Sequence, residues 1–192
     1  MILAIDVYYY PVPDEEGNTY CVGCVLFNEF DSILPEVGIQ SIKGNEFIAP
    51  YVPGHFKDRE LPCIMKAFNQ FKVFHSDIQT IILDSYVCLK DSFGNKIESL
   101  GDALHKELVK LGYPDISIIG VAKTLFGCKN NTKIFDYCKP VYRGVDAKTP
   151  LYVTSIGCNL DEAAEKIKNM HGPNKIPYII SLADQYSKKY KK

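Results

Sequence analysis

The sequence lacks the features of a membrane protein, a secreted protein or a strongly charged binding module. No stretch approaches the roughly 18 consecutive apolar residues of a spanning helix, and the opening MILAI reaches Asp6 without the basic flank or cleavage site of a signal peptide. Lys and Arg number 22 against 23 Asp and Glu, so a net charge of −1 indicates neither a global nucleic-acid-binding field nor acidic disorder. We therefore expect a soluble, cytoplasmic protein with no membrane partner.

The cysteines lack the spacing of a disulfide framework or a zinc site. There are seven of them, an odd number, and they are scattered along the chain. The one close pair, Cys21 and Cys24, lies in the apolar run YCVGCVLF, where a strand would point the two sulfurs to opposite faces. No second pair and no histidine at ligand spacing accompanies it, so buried reduced thiols are favoured over zinc or redox chemistry.

Repeats, low-complexity segments and linkers are also absent, and 192 residues with 46% apolar content suit one core. The runs MILAIDVYYY and YCVGCVLFNEF, separated by the turn-rich PVPDEEGN, predict an opening hairpin, and ILPEVGIQSI predicts a third strand. IQTIILD, SLGDALHKELVKLG and ISIIGVAKT follow as strand, helix and strand, which is typical of a parallel crossover unit. We expect residues 1–192 to form a single α/β domain.

Three further helices and one late strand are predicted. Apolar residues from Leu61 to Phe71 recur at helical spacing, which predicts a helix directly after Glu60. PLYVTSIG predicts the last strand, and NLDEAAEKIKNMHG then offers Asn159 and Glu162 as a capping box. The tail from Pro177 predicts a final helix.

Four acidic residues are candidates for a catalytic or metal-binding role. Asp6 interrupts the first strand and Asp84 ends an apolar one, and a buried carboxylate is costly unless it is paired or binds a cation. Glu60 stands at a helix start, which the helix dipole already favours, and Asp184 lies between apolar residues of the final helix. Taken singly, each is more often a cap or a solvated polar residue, so this pattern leaves a metal site and structural acids both open.

Six blocks of sequence, in order, resemble the endonuclease V family. PYVPGHFKDRE, residues 50–60, is similar to its signature, in which Pro-Tyr-Ile/Val-Pro-Gly is followed by Arg-Glu. The other blocks are AIDVYY, IILDS, IIGVAKT, LYVTSIG and PYIISLAD. The likeness extends over nearly the whole chain, which is identified as a diverged and N-terminally short member of the family of deoxyinosine 3′ endonucleases.

The resemblance implies an RNase H-like fold, a central mixed β-sheet flanked by helices. It implies a site for Mg²⁺, with Mn²⁺ as an alternative, because these ions prefer hard oxygen ligands. The implied metal ligands and catalytic acids are Asp6, Glu60, Asp84 and Asp184, with Lys123 as the active-site lysine. The implied nucleic-acid contacts are Tyr51, Pro53, Gly54, Arg59, Ser85, Gly120 and Lys123. Tyr51, held between rigid prolines, would be a wedge at the damaged nucleotide.

The implied activity is hydrolysis of a phosphodiester near a deaminated, inosine-like or distorted nucleotide, in DNA repair or RNA processing. The implied partner is DNA or RNA with a deaminated base, and a monomer is expected. The chain departs from the family pattern at several positions: Asp58 stands for Phe, Ser85 for Gly, Lys90 for His, Cys158 for His and Ser181 for Arg. These departures leave open a catalytically weakened nucleic-acid-binding relative, and also an α/β domain that binds a small anion.

One local concentration of basic residues interrupts the neutral charge balance. It comprises Lys123, Lys129, Lys133, Lys139, Arg143 and Lys148. Such a stretch either follows a phosphate backbone or forms a solvated loop, and the sequence does not separate the two.

Overall fold

The computed structural model describes residues 1–13, 17–35, 37–46, 48–50, 56–90, 95–125, 136–145 and 148–189. Within these residues there are nine strands and four helices. They are β1 (Ile2–Tyr9), β2 (Tyr20–Phe27), β3 (Gly38–Gly44), α1 (Phe56–Lys72), β4 (Thr80–Leu83), β5 (Leu89–Lys90), β6 (Lys96–Ile97), α2 (Leu100–Lys110), β7 (Ser117–Ala122), β8 (Lys139–Val141), β9 (Leu151–Ile156), α3 (Leu160–Asn169) and α4 (Tyr178–Ser187).

Seven of the strands form one mixed sheet in the order β3-β2-β1-β4-β7-β9-β8. β1, β4 and β7 run parallel, whereas β2, β3, β9 and β8 each pair antiparallel with their neighbours. The predicted opening hairpin is β1 and β2, and the predicted parallel crossover is β4, α2 and β7. The prediction of an α/β fold with a mixed sheet flanked by helices is therefore confirmed.

The two faces of the sheet are covered by different helix pairs. Side chains alternate along β1, so that Leu3 and Ile5 pack toward α1 and α2, while Ile2 and Ala4 pack toward α3 and α4. The same alternation separates the cysteine pair of β2. Cys24 lies in the α1 and α2 layer, and the sulfur of Cys21 contacts the carbonyl of Tyr186 in α4 at 3.8 Å. Both thiols are buried on opposite faces, as predicted.

The helix ends follow the predicted signals. Ser99 caps α2 through a complete capping box with Asp102, and Gly112, at φ +86°, follows the end of the helix. The side chain of Asn159 accepts hydrogen bonds from the backbone N–H groups of Asp161 and Glu162, which is the Asn159 half of the predicted capping box. None of the helices in the described ranges has both the length and the hydropathy needed to span a bilayer.

Some boundaries differ from the prediction. α1 begins at Phe56, so Glu60 lies inside the helix and not at its start. β3 begins at Gly38, several residues later than the apolar pattern indicated. The short strands β5, β6 and β8 were not predicted, because two or three residues carry no periodicity. Pro140 also argues against a strand, and β8 accommodates it as an edge strand of the sheet.

Candidate metal centre

Two carboxylates lie side by side at the ends of neighbouring parallel strands. Ile5 of β1 is opposite Leu83 of β4, so Asp6 and Asp84 are the next residue on each strand. The residues two positions earlier, Ala4 and Ile82, both pack toward α4. Because side chains alternate along a strand, the register brings both acids to the same end and the same face of the sheet.

The third carboxylate comes from α4, which lies unusually close to the sheet. Gly23 pairs with Asp6 across β1 and β2. A Cβ atom at Gly23 would lie 2.0 Å from the carbonyl oxygen of Ala183 and 2.4 Å from the backbone nitrogen of Ser187. Only glycine permits this approach of helix to strand, and the approach brings Asp184 beside Asp6.

Asp6, Asp84 and Asp184 each offer an oxygen within 4.8 Å of the others, and all three residues are half-buried. Three hard oxygen donors from β1, the end of β4 and α4 are the kind of ligand set that Mg²⁺ or Mn²⁺ binds. These residues therefore fit a divalent cation. In the described part of the chain, Glu60 adjoins the triad but is not one of the three mutually close acids.

Negative charge is crowded at this edge of the sheet. Burial raises the pKa of Glu60 well above its ordinary value, and the charges of Asp6 and Asp84 raise it further. Burial likewise raises the pKa of Asp6, against a hydrogen bond from Ser187 that lowers it. A bound cation would relieve this repulsion.

Each acid of the triad has one close polar partner. The Nζ of Lys123, just beyond β7, lies 2.5 Å from Oδ2 of Asp84. The Nζ of Lys188, at the end of α4, lies 2.5 Å from Oδ1 of Asp184. The buried hydroxyl of Ser187 lies 2.6 Å from Oδ2 of Asp6, to which it donates. Burial, the largest single cause, lowers the pKa of Lys123, but the hydrogen bond to Asp84 and the negative charges of the three acids together outweigh it, so the pKa is raised.

The loop after Asp84 is fixed by contacts on the α2 face. The hydroxyl of Thr154 in β9 accepts a hydrogen bond from the backbone N–H of Val87 at 3.0 Å. A Cβ at Gly120 would lie 2.4 Å from the carbonyl oxygen of Ser85, so Gly120 is buried under the loop. This gives Gly120 a packing role, and its predicted contact with nucleic acid stays a prediction. The hydroxyl of Ser85 is buried, and none of the described residues forms a hydrogen bond with it.

Arg59 lies at the same edge of the sheet, next to Glu60 in α1. Its guanidinium carbon is 3.7 Å from the centroid of the Tyr9 ring, and the Tyr9 hydroxyl donates to the Arg59 carbonyl at 3.2 Å. The predicted contacts at Tyr51, Pro53 and Gly54 lie outside the described residues, and they stay predictions.

The described residues of the basic stretch do not all belong to one exposed surface. Arg143 is buried, and it fastens the turn between α3 and α4 by donating to five backbone carbonyls, those of Lys168, Met170, Gly172, Asn174 and Lys175. Lys139 pairs with Asp161 at 2.8 Å. Both interpretations made from the sequence are thus wrong for Arg143, whose role is structural, and Lys129 and Lys133 lie outside the described residues.

Three residues at or near the site were not singled out from the sequence: Thr154, Ser187 and Lys188. Ser187 and Lys188 follow Asp184 by three and four positions, the spacing that puts residues on one side of a helix. That spacing was a usable signal. Thr154 had none, because its role depends on the fold of the loop after β4.

Comparisons with known proteins give the fold. The sequence matches no established family model, and no curated protein is significantly similar to it. Among solved structures, Ciona intestinalis endonuclease V, in complex with a 24mer DNA containing an inosine followed by a ribo-adenosine, aligns with 98% of this chain and 84% of its own. The TM-score is 0.71 at 18% identity. The chain has the endonuclease V fold.

Two other structures extend this likeness. Human endonuclease V (ENDOV) aligns with a TM-score of 0.65 at 18% identity, over 98% of this chain and 83% of its own. A protein of unknown function from Archaeoglobus fulgidus aligns with a TM-score of 0.55 at 12% identity, over 98% of this chain and 96% of its own. The predicted resemblance to endonuclease V is confirmed as a likeness of fold, and so is the RNase H-like architecture.

Proposed function

We propose that this protein is a diverged endonuclease V, a metal-dependent endonuclease that hydrolyses a phosphodiester near a deaminated, inosine-like or distorted nucleotide in DNA or RNA. The observation that carries the proposal is the convergence of Asp6, Asp84 and Asp184, with oxygens within 4.8 Å of one another. The shared fold supports it, since the Ciona structure is a complex of endonuclease V with inosine-containing DNA.

In this proposal the triad holds Mg²⁺ or Mn²⁺, and Glu60 completes the acidic site. The chemistry supplied by such an ion is neutralisation of charge on the scissile phosphate and on the leaving oxygen. Lys123 is half-exposed beside Asp84, where its ammonium would stabilise charge that develops on the phosphate. Burial raises the pKa of Glu60 and so favours its protonated form, whereas a cation in the triad would favour the carboxylate.

The neighbouring residues have supporting roles in the same proposal. Ser187 holds Asp6 in one orientation through its hydrogen bond, and Thr154 fixes the loop that follows Asp84. Restraint of this kind keeps the ligand oxygens of a metal site in place before the ion binds. Arg59 would contact nucleic acid next to the acids, and Ser85, directly after Asp84, is the other described residue of the predicted interface on this side.

The competing function is a nucleic-acid-binding relative with little turnover. Two observations favour it: Lys123 and Lys188 each pair with an acid of the triad and so balance part of its charge, and Ser85 departs from the family pattern beside Asp84. This alternative predicts binding that does not depend on a divalent cation.

The deciding experiment is a cleavage assay on matched single- and double-stranded DNA and RNA that carry inosine, uracil, an abasic site or no modification. We expect cleavage near the modified nucleotide with Mg²⁺ or Mn²⁺ and none with EDTA. Binding that EDTA leaves unchanged, with no cleavage of any substrate, would establish the competing function. Absence of both binding and cleavage would reject both functions.

A further inference from the structure

Lys188 brings a second positive charge to the acidic triad from a different element than Lys123. It directly follows α4, and its Nζ lies 2.5 Å from Oδ1 of Asp184. Lys123 reaches Asp84 from the end of β7. The acids of the triad and two lysines therefore meet at one edge of the sheet, and each lysine pairs with a carboxylate that a metal ion would also use.

An ion pair of this spacing on a helix is usually a minor surface contact, worth a few tenths of a kcal/mol. One observation separates Lys188 from that ordinary case. Its partner Asp184 belongs to the triad, whose three carboxylates offer oxygens within 4.8 Å of one another. The ammonium thus lies over the acidic site, not on a remote side of the helix.

Competition for Asp184 gives Lys188 two alternative partners. A cation held by the triad would draw on the same carboxylate that the ammonium contacts. Since Lys188 is about two-fifths exposed, a displaced ammonium remains at the rim of the site and faces solvent. A lysine in that place is a mobile point charge, which suits phosphate oxygens and carries no base preference.

We propose that Lys188 is a phosphate-binding residue of this site. It pairs with Asp184 in the free protein, and it binds a substrate phosphate when a divalent cation occupies the triad. The proposal rests on the proposed function, because it requires nucleic acid to approach the acids. It adds a contact from the end of α4 to the sugar-phosphate backbone of the substrate, and this contact does not depend on the modified base.

The first test is metal binding without nucleic acid. Titration of the whole protein with Mn²⁺, followed by electron paramagnetic resonance, should give several-fold tighter binding for Lys188→Gln, since a competing positive charge is gone. Lys189→Gln is the matched control, because Lys189 carries the same charge on the next residue but lies over the Tyr186 ring. Equal Mn²⁺ affinity of Lys188→Gln and the unmodified protein would overturn the competition.

The second test is nucleic-acid binding with Ca²⁺ across a salt series. Lys188→Gln should weaken inosine-containing and unmodified oligonucleotides by the same factor, and the slope of log K against log salt should fall by about one. Lys188→Arg should retain the slope, and Lys189→Gln should not change it. If the unmodified protein binds and cleaves but Lys188→Gln has the same slope, only the Lys188 proposal fails. If the unmodified protein binds no nucleic acid, the proposed function fails as well.

Discussion

The two ends of the sheet differ in the charge of the polar side chains that lie close together there. At the end where β1, β4 and β7 finish, three acids and two lysines meet, and the pKa values of Asp6 and Glu60 are raised. At the other end, here called the neutral end, the side chains that pair between strands are uncharged hydroxyls, and an acid such as Asp115 is exposed. The hydroxyls of Thr80 and Ser117 are 2.9 Å apart, and Ser155 donates to the carbonyl of Cys158 at 3.2 Å.

This difference indicates which departures from the endonuclease V pattern lie close enough to the candidate site to affect cleavage. β9 runs antiparallel to β7 with Ile156 opposite Ile118, so Cys158 lies at the neutral end. Leu83 is opposite Gly120, so the level of Asp84 is three strand residues, about 10 Å, from Ile156, and Cys158 lies beyond Ile156 on the far side. Ser85, by contrast, directly follows Asp84 at the charged end. A change at Ser85 therefore touches the candidate site, whereas a change at Cys158 affects packing.

The largest effect is expected from an acid of the charged end. Asp84→Asn should reduce both Mn²⁺ affinity and cleavage by at least about 100-fold, because even the loss of an outer partner of a metal ligand costs 10- to 100-fold. Asp115→Asn, at an exposed acid just before β7, is the matched control and should change neither. If the two variants had the same Mn²⁺ affinity and the same cleavage rate, the charged end would not be the site of metal binding and cleavage.

A large effect is also expected where α4 contacts β2. In Gly23→Ala the added methyl group meets backbone atoms of Ala183 and Ser187, so α4 must move and carry Asp184 away from Asp6. We expect a loss of about 1–3 kcal/mol in the free energy of unfolding, measured with urea, together with weaker Mn²⁺ binding. Gly38→Ala is the control, since nothing lies within 4 Å of a Cβ there. Unchanged Mn²⁺ affinity in Gly23→Ala would show that the close approach does not position Asp184.

The sequence predicted the parts of the site that depend on strand order and missed those that depend on close packing. Asp6 and Asp84 could be paired in advance, because each ends or interrupts a recognisable strand and parallel neighbours finish at one edge. The role of Gly23 could not be predicted, because a glycine within YCVGCVLF gives no sign of a helix contact until the position of α4 is known. Arg143 was misjudged for the same reason, since its five carbonyl partners come from a turn with no sequence pattern.

A smaller effect is expected on the pH dependence of stability without metal. The folded protein keeps a proton on Glu60 above the ordinary pKa of 4.5, whereas the unfolded chain loses it there. Stability should therefore fall as the pH rises from 4.5 through the raised pKa, because the folded state binds more protons in that window. Glu60→Gln should flatten this fall in urea unfolding with EDTA. A slope that Glu60→Gln leaves unchanged would show that Glu60 is not the group responsible.

The smallest effect on chemistry is expected at the neutral end. Cys158 is half-buried beside the α3 and α4 layer, and burial raises the pKa of its thiol, so it is a packing residue. Cys158→His restores the residue of the family pattern, yet it acts about 10 Å or more from the level of Asp84. We expect the rate of cleavage by Cys158→His to stay within about twofold of that of the unmodified protein. Any effect of the substitution should be on the melting temperature. Ser85→Gly, the equivalent restoration beside Asp84, is the comparison, and it should alter cleavage more. If Cys158→His raised cleavage tenfold while Ser85→Gly did nothing, the neutral end would have to be counted as part of the site.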